Sequence, residues 1–184
     1  MTEQTVIAEI PGFYKVVALQ PFRRTEGVTF DILPKSLVPK IDAVDRVIHK
    51  SSAVSPGPVG EVTEPWYMHP YQDDNLIVLQ GTRHVEIFTR EHGKIESFVI
   101  TPDRIEHNDK LLYDGPGLLV WPRKVFHRIK SDAEGSASIN LATHYEGIDM
   151  RTNFNIYDLD ITTGKFKVIR EGHLDQSIQE QKNS

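Results

Sequence analysis

Apolar residues along this chain fall into short runs separated by turn-forming residues. The clearest runs cover 75–80, 84–89, 97–100, 117–121, 125–129 and 136–144 and are rich in Val, Ile, Leu, Phe and Tyr. Runs of roughly 4 to 9 residues suit strands better than helices, which need a longer 3.6-residue period to bury a face. Turn signals stand between them: Gly81, His92-Gly93-Lys94, Asp114-Gly115-Pro116-Gly117 and Asp132-Ala133-Glu134-Gly135. Many short strands at regular spacing predict an all-β sandwich or barrel.

The flanks carry their own patterns. Residues 153–169 alternate apolar and polar positions around Thr162-Thr163-Gly164-Lys165 and predict a hairpin. The polar tail 175–184 predicts a short helix or a frayed end. The stretch 51–60 (SSAVSPGPVG) is the one Pro/Gly/Ser-rich segment. The residues before it are too few and too polar for a core of their own, so it is expected to be a loop within one domain spanning 1–184.

Composition narrows the class without naming a function. The chain has 184 residues, 39% hydrophobic and 26% charged, as expected of a globular domain. A net charge of −5 repels phosphate backbones and makes nucleic acid a poor expected partner. Cysteine is absent, which removes disulfides, thiolate metal sites and a Cys nucleophile and suits a cytoplasmic location. Residues 1–20 lack the basic start and apolar run of a signal peptide, and no stretch nears the roughly 18 apolar residues that span a bilayer. No membrane association is expected.

The densest cluster of chemistry-bearing types is Pro65-Trp66-Tyr67-Met68-His69-Pro70-Tyr71-Gln72-Asp73-Asp74, which leads into the apolar run 75–80. Alternate strand residues share a face. Tyr67 and His69 therefore point the same way, and Asp74 shares a face with Leu76 and Val78. Further on, His127 lies between Val125 and Ile129 on one face of a strand that follows Pro122. A closed barrel would bring the two segments together.

Those residues resemble the cupin superfamily, whose two motifs are G-x5-H-x-H-x3–4-E-x6-G and G-x5-P-x-G-x2-H-x3-N. Tyr67-x-His69-x4-Asp74-x6-Gly81 has the spacing of the first, and Pro122-x-Lys124-x2-His127 that of the core of the second, with Gly115 or Gly117 near its glycine. The resemblance spans about residues 60–145. It implies a cupin-type jelly-roll β-barrel over about 40–150, with extra N-terminal strands, a C-terminal hairpin and a short tail. The chain departs from the motifs: Tyr67 replaces the first His, Asp74 the Glu, Lys124 a Gly and Ser131 the final Asn.

Cupins commonly hold iron, manganese, nickel or zinc on three His and one Glu. By resemblance this chain offers His69, Asp74 and His127 as metal ligands, Tyr67 as a catalytic acid and Gln72 as a substrate contact. Two imidazoles and a carboxylate suffice for Fe(II) and suit zinc. Each residue also has a plainer alternative: a surface His at 69, a hydrogen-bonded core His at 127, a turn cap at Asp74 and a packing aromatic at Tyr67. His84 is expected to face outward. His49, His92, His107 and His173 are expected to be solvated, His144 to lie outside the site and Trp66 and Trp121 to be wall or core residues; Arg83 and Arg123 could meet an anionic substrate at a barrel mouth, but solvated arginines are commoner and that is the expectation. Three functions fit: a metal-dependent dioxygenase, isomerase or lyase acting on a small molecule; a metal-free enzyme similar to the superfamily's sugar-nucleotide epimerases and isomerases; and a non-catalytic ligand-binding sensor. A homodimer joined through the strands before Ser51 or the hairpin near Thr163 is expected.

Overall fold

A computed structural model describes residues 5–176. It is almost entirely antiparallel β. The strands are β1 (Val6–Ile10), β2 (Tyr14–Ala18), β3 (Gln20–Thr25), β4 (Val28–Ile32), β5 (Ala43–His49), β6 (Val54–Ser55), β7 (Trp66–Met68), β8 (Gln72–Phe88), β9 (Ile95–Thr101), β10 (Arg104–His107), β11 (Lys110–Asp114), β12 (Gly117–Trp121), β13 (Phe126–His144), β14 (Ile156–Asp160) and β15 (Lys165–Arg170), with one short helix, α1 (Met150–Asn153). Among the described residues no helix is long and apolar enough to cross a membrane. The hairpin expected at 153–169 is β14–β15. Of the tail 175–184, Asp175 closes a single 3-10 turn (Gly172–Asp175), and 177–184 lie outside the described residues.

Two long bent strands organise the barrel. The first half of β8 pairs with β12 and with the second half of β13, and its second half pairs with β9 and the first half of β13. The register of β8 against β13 breaks between Ser131 and Ser136. At that break Gly81 and Gly135 have φ of 71° and 78°, left-handed values that cost other residues energy. A Cβ on Gly81 would strike the carbonyl of Gly135, and one on Gly135 the carbonyl of His49. These two glycines let both strands fold over together, so a single pair of strands serves two facing sheet halves. One half extends through β12 to β2 and β1 on one side and to β5 on the other. The other half extends through β9 to β10 and β11, and through β7 to β14 and β15.

The space between the halves holds the main core, including Phe13, Leu76, Val85, Ile87, Phe98 and Ile100. Burying each such side chain contributes about 1.5–3 kcal/mol. A smaller cluster with Trp66, Phe126 and Tyr157 packs beneath β14–β15. The hairpin β3–β4 forms a separate two-stranded sheet.

Two expectations about polar residues are corrected here. Arg83 is buried rather than solvated: Nε donates to Ser136 Oγ at 2.9 Å and Nη2 to the Val47 carbonyl at 3.1 Å. His49 is also buried, with Nδ1 at 2.9 Å from Ser131 Oγ, itself 2.7 Å from Ser136 Oγ. The fold tucks both beside the Gly81–Gly135 crease, where a chain of hydroxyls satisfies them. His92, His107 and His173 are half-buried, and His107 Nε2 lies 2.6 Å from the buried Glu96.

Candidate active site

Strand register assembles the site. His127 on β13 faces Tyr67 on β7, and His69 follows β7 directly. On the opposite half, Asp74 on β8 pairs with Trp121 on β12. Between Trp121 and His127 the chain turns at Lys124, the residue in place of the motif glycine. It adopts φ 70° and donates its backbone N–H to the His69 carbonyl at 2.8 Å, tying the two motif segments together. His69, Asp74 and His127 are 5%, 3% and 4% exposed, and one ligand atom from each lies within 4.8 Å of the others.

Hydrogen bonds fix how these groups point. The Nδ1–H of His69 donates to the Asn153 carbonyl at 2.5 Å, and that of His127 to the Val125 carbonyl at 3.2 Å. A carbonyl can only accept, so each ring carries its proton on Nδ1 and turns Nε2 inward. Both Nε2 atoms face Asp74 Oδ2, at 3.4 Å from His69 and 4.0 Å from His127. Asp74 Oδ1 accepts from Gln72 Nε2 at 2.8 Å and from Asn140 Nδ2 at 2.7 Å, whereas Oδ2 is buried without a hydrogen-bond partner. A carboxylate oxygen facing two imidazole lone pairs is repelled unless a proton or a metal cation lies among them. The cluster therefore gains when a proton or a cation enters it. His127 is held down to about 4, chiefly by burial and next by His69, with Asp74 opposing, so its ring is neutral at pH 7.

The other expected site residues take distinct places. Gln72 is buried, and both ends of its amide are engaged: Nε2 on Asp74 and Oε1 accepting from Asn153 Nδ2 at 3.0 Å. The Tyr67 ring lies 6.3 Å from that of His69 and 5.9 Å from that of His127 between centroids. Its phenol shares a hydrogen bond with Ser55, and burial pushes it up, so it stays protonated. Trp121 lies 5.1 Å from His127 between ring centroids.

Sequence reasoning missed Asn140 and Asn153. Asn140 shares a face of β13 with the buried Ser136 and Ser138, and that face turns inward toward Asp74. Asn153, in α1, anchors His69 through its backbone and Gln72 through its side chain, and the adjoining Phe154 packs edge-on against His69 at 4.8 Å. No motif signals these contacts, since they come from the crossover between β13 and β14. His84 points outward and pairs with Asp132, as expected.

The antiparallel barrel with its site between the two folded halves is the cupin jelly roll. Its motif segments meet inside as the resemblance implies. No family model matches the sequence, and no curated protein matches it significantly. Solved structures do. A sugar 3,4-ketoisomerase from Thermoanaerobacterium thermosaccharolyticum, in complex with TDP, superimposes with a TM-score of 0.51 at 14% identity, covering 74% of this chain and 84% of its own. A dTDP-6-deoxy-D-glucose-3,5-epimerase from Legionella pneumophila, in complex with dTDP-4-keto-L-rhamnose, gives 0.55 at 10% identity, covering 76% and 71%. A dTDP-4-dehydrorhamnose 3,5-epimerase from Bacillus anthracis, with TDP and PPi bound, gives 0.52 at 10% identity, covering 74% and 75%. At these identities the likeness establishes the fold.

Proposed function

We propose that this chain is a small-molecule cupin enzyme of the sugar-nucleotide isomerase and epimerase type, which moves a proton at a carbon beside a carbonyl. The observation that carries this reading is the buried cluster itself: two imidazoles with Nδ1 anchored on backbone carbonyls and Nε2 turned to one oxygen of a fixed carboxylate. A neutral imidazole accepts a proton near neutral pH, and an adjacent carboxylate balances the charge it gains. Asp74 lies closer to His69 than to His127, and His127 resists protonation, so His69 is the base. Tyr67, which keeps its proton, supplies the acid. Exposed Arg123 and Lys124, on the turn bonded to His69, offer charge to a diphosphate. The bound TDP-sugars and TDP of the similar structures support this substrate class.

The same donors favour a second reading. His69, Asp74 and His127 suit a divalent ion, because both rings carry the backbone-anchored Nδ1–H that orients metal-bound histidines and Asp74 Oδ2 awaits a cation. Such an ion would polarise the substrate carbonyl.

One experiment separates them. Protein purified without added metal is assayed for bound metal and for deuterium uptake from D2O into TDP-4-keto-6-deoxyglucose, with and without chelator. Uptake at low metal content, unaffected by chelator and abolished in His69→Ala, is expected. Stoichiometric metal with chelator-sensitive uptake would establish the second reading, and no uptake at all would remove the sugar-nucleotide assignment.

A further inference from the structure

Burial leaves five side-chain polar atoms without a hydrogen-bond partner among the described residues: Asp74 Oδ2, Glu96 Oε1, Trp121 Nε1, Ser138 Oγ and Asn153 Oδ1. A buried polar group left unpaired carries its full desolvation cost, so each calls for an explanation. Glu96 Oε1 has one in Lys94 Nζ at 2.5 Å. Asp74 and Asn153 belong to the site already described. Trp121 Nε1 is different in kind, because it is the only N–H of the set and an indole nitrogen can do nothing but donate.

The position of Trp121 shows what that donor can serve. It is paired directly with Asp74 across β12 and β8, and directly opposed residues project from the same face of a sheet. Its ring also lies against that of His127. Trp121 thus neighbours Asp74 along the sheet and the His127 ring, buried, with its one polar atom unused. Its N–H is free to meet an acceptor that a ligand brings.

We propose that Trp121 is a catalytic residue: its Nε1–H donates to the carbonyl oxygen of the substrate and holds the negative charge that develops there when the neighbouring carbon loses its proton. This rests on the acid–base reading above. In the step, the C–H bond beside the carbonyl breaks and its proton passes to the His69 imidazole. The bonding pair forms a carbon–carbon double bond, and the carbonyl π pair moves to oxygen, where Trp121 meets it. Returning a proton to carbon restores the ketone. The step needs no oxidant, reductant or co-reactant. A donor already fixed in a dry site stabilises such an oxyanion more than water does, because it need not reorganise.

The chain contains only Trp66 and Trp121, so the indole N–H signals of 15N-labelled protein can be told apart with a Trp66→Phe variant. On saturation with TDP-4-keto-6-deoxyglucose the Trp121 signal is expected to move downfield, and with TDP, which has no ketone, to stay in place. In Trp121→Phe, deuterium uptake is expected to fall about 10²- to 10³-fold with KM little changed. Uptake by the unsubstituted protein without movement of the Trp121 signal, or undiminished uptake by Trp121→Phe, overturns the donor role alone. Absence of uptake by the unsubstituted protein overturns the acid–base reading and this role with it. If Trp121→Phe does not fold, the indole signal of the unsubstituted protein decides.

Discussion

Asp74 is one methylene shorter than the glutamate of the motif it resembles, and Gln72 and Asn140 fix it from behind by holding Oδ1. His49 shows the opposite relation between a side chain and its surroundings. Burial and then the neighbouring Arg83 hold it down to about 4 from the ordinary 6.5. The unfolded chain therefore takes up a proton below about pH 6.5 that the folded chain refuses until about pH 4. The sign follows from linkage: this contribution to stability is complete above that window and is lost as pH falls through it. At 1.36 kcal/mol per pH unit the loss is at most about 3 kcal/mol. His127 is depressed the same way and loses stability over the same interval. Urea unfolding between pH 7 and 4 should show stability falling with acid, and less steeply in His49→Gln; equal slopes would contradict the buried neutral ring.

At the scale of elements, the crease in β8 and β13 invites a direct test. Gly81 and Gly93 have similar positive φ, yet a Cβ on Gly93 meets nothing within 4 Å while one on Gly81 meets the Gly135 carbonyl. Gly93→Ala should cost about 1 kcal/mol, the conformational term alone. Gly81→Ala and Gly135→Ala should each cost more than about 2 kcal/mol in urea unfolding, because backbone must also move. The sequence signalled both crease positions as turns. It could not say that each strand continues beyond them, since a glycine between apolar runs marks a hairpin and a bulge equally well. Likewise, alternation showed which residues of 136–144 share a face but not which face is inside. That is why Asn140 was invisible as a partner of Asp74. The spacing Tyr67-x-His69-x4-Asp74 was legible because local register preserves it. Asn153 was not, because its contacts depend on where a distant crossover lands.

For the molecule as a whole, β3–β4 is the segment that does not stand alone. A two-stranded hairpin is marginal without a surface to pack on, yet this one presents Phe22 and Phe30 at 66% and 52% exposure, with ring centroids 5.4 Å apart. The outer face of the main sheet also exposes Val44, Ile48 and Leu79. The homodimer expected from the sequence would cover these residues, in line with the commonest symmetry of small oligomers. Solution scattering should give twice the mass of the 21.0 kDa chain, falling to one chain in Phe22→Glu/Phe30→Glu; a monomeric unsubstituted protein would refute the pairing.

The Asn153–Phe154 crossover lies over His69 and is bound to it and to Gln72, so the cluster is covered from the side where the chain returns to β14. The tautomer of His69 is therefore set by a backbone carbonyl of the crossover and not by a neighbouring side chain. A displacement of that crossover would release the His69 Nδ1–H and with it the constraint that turns Nε2 toward Asp74.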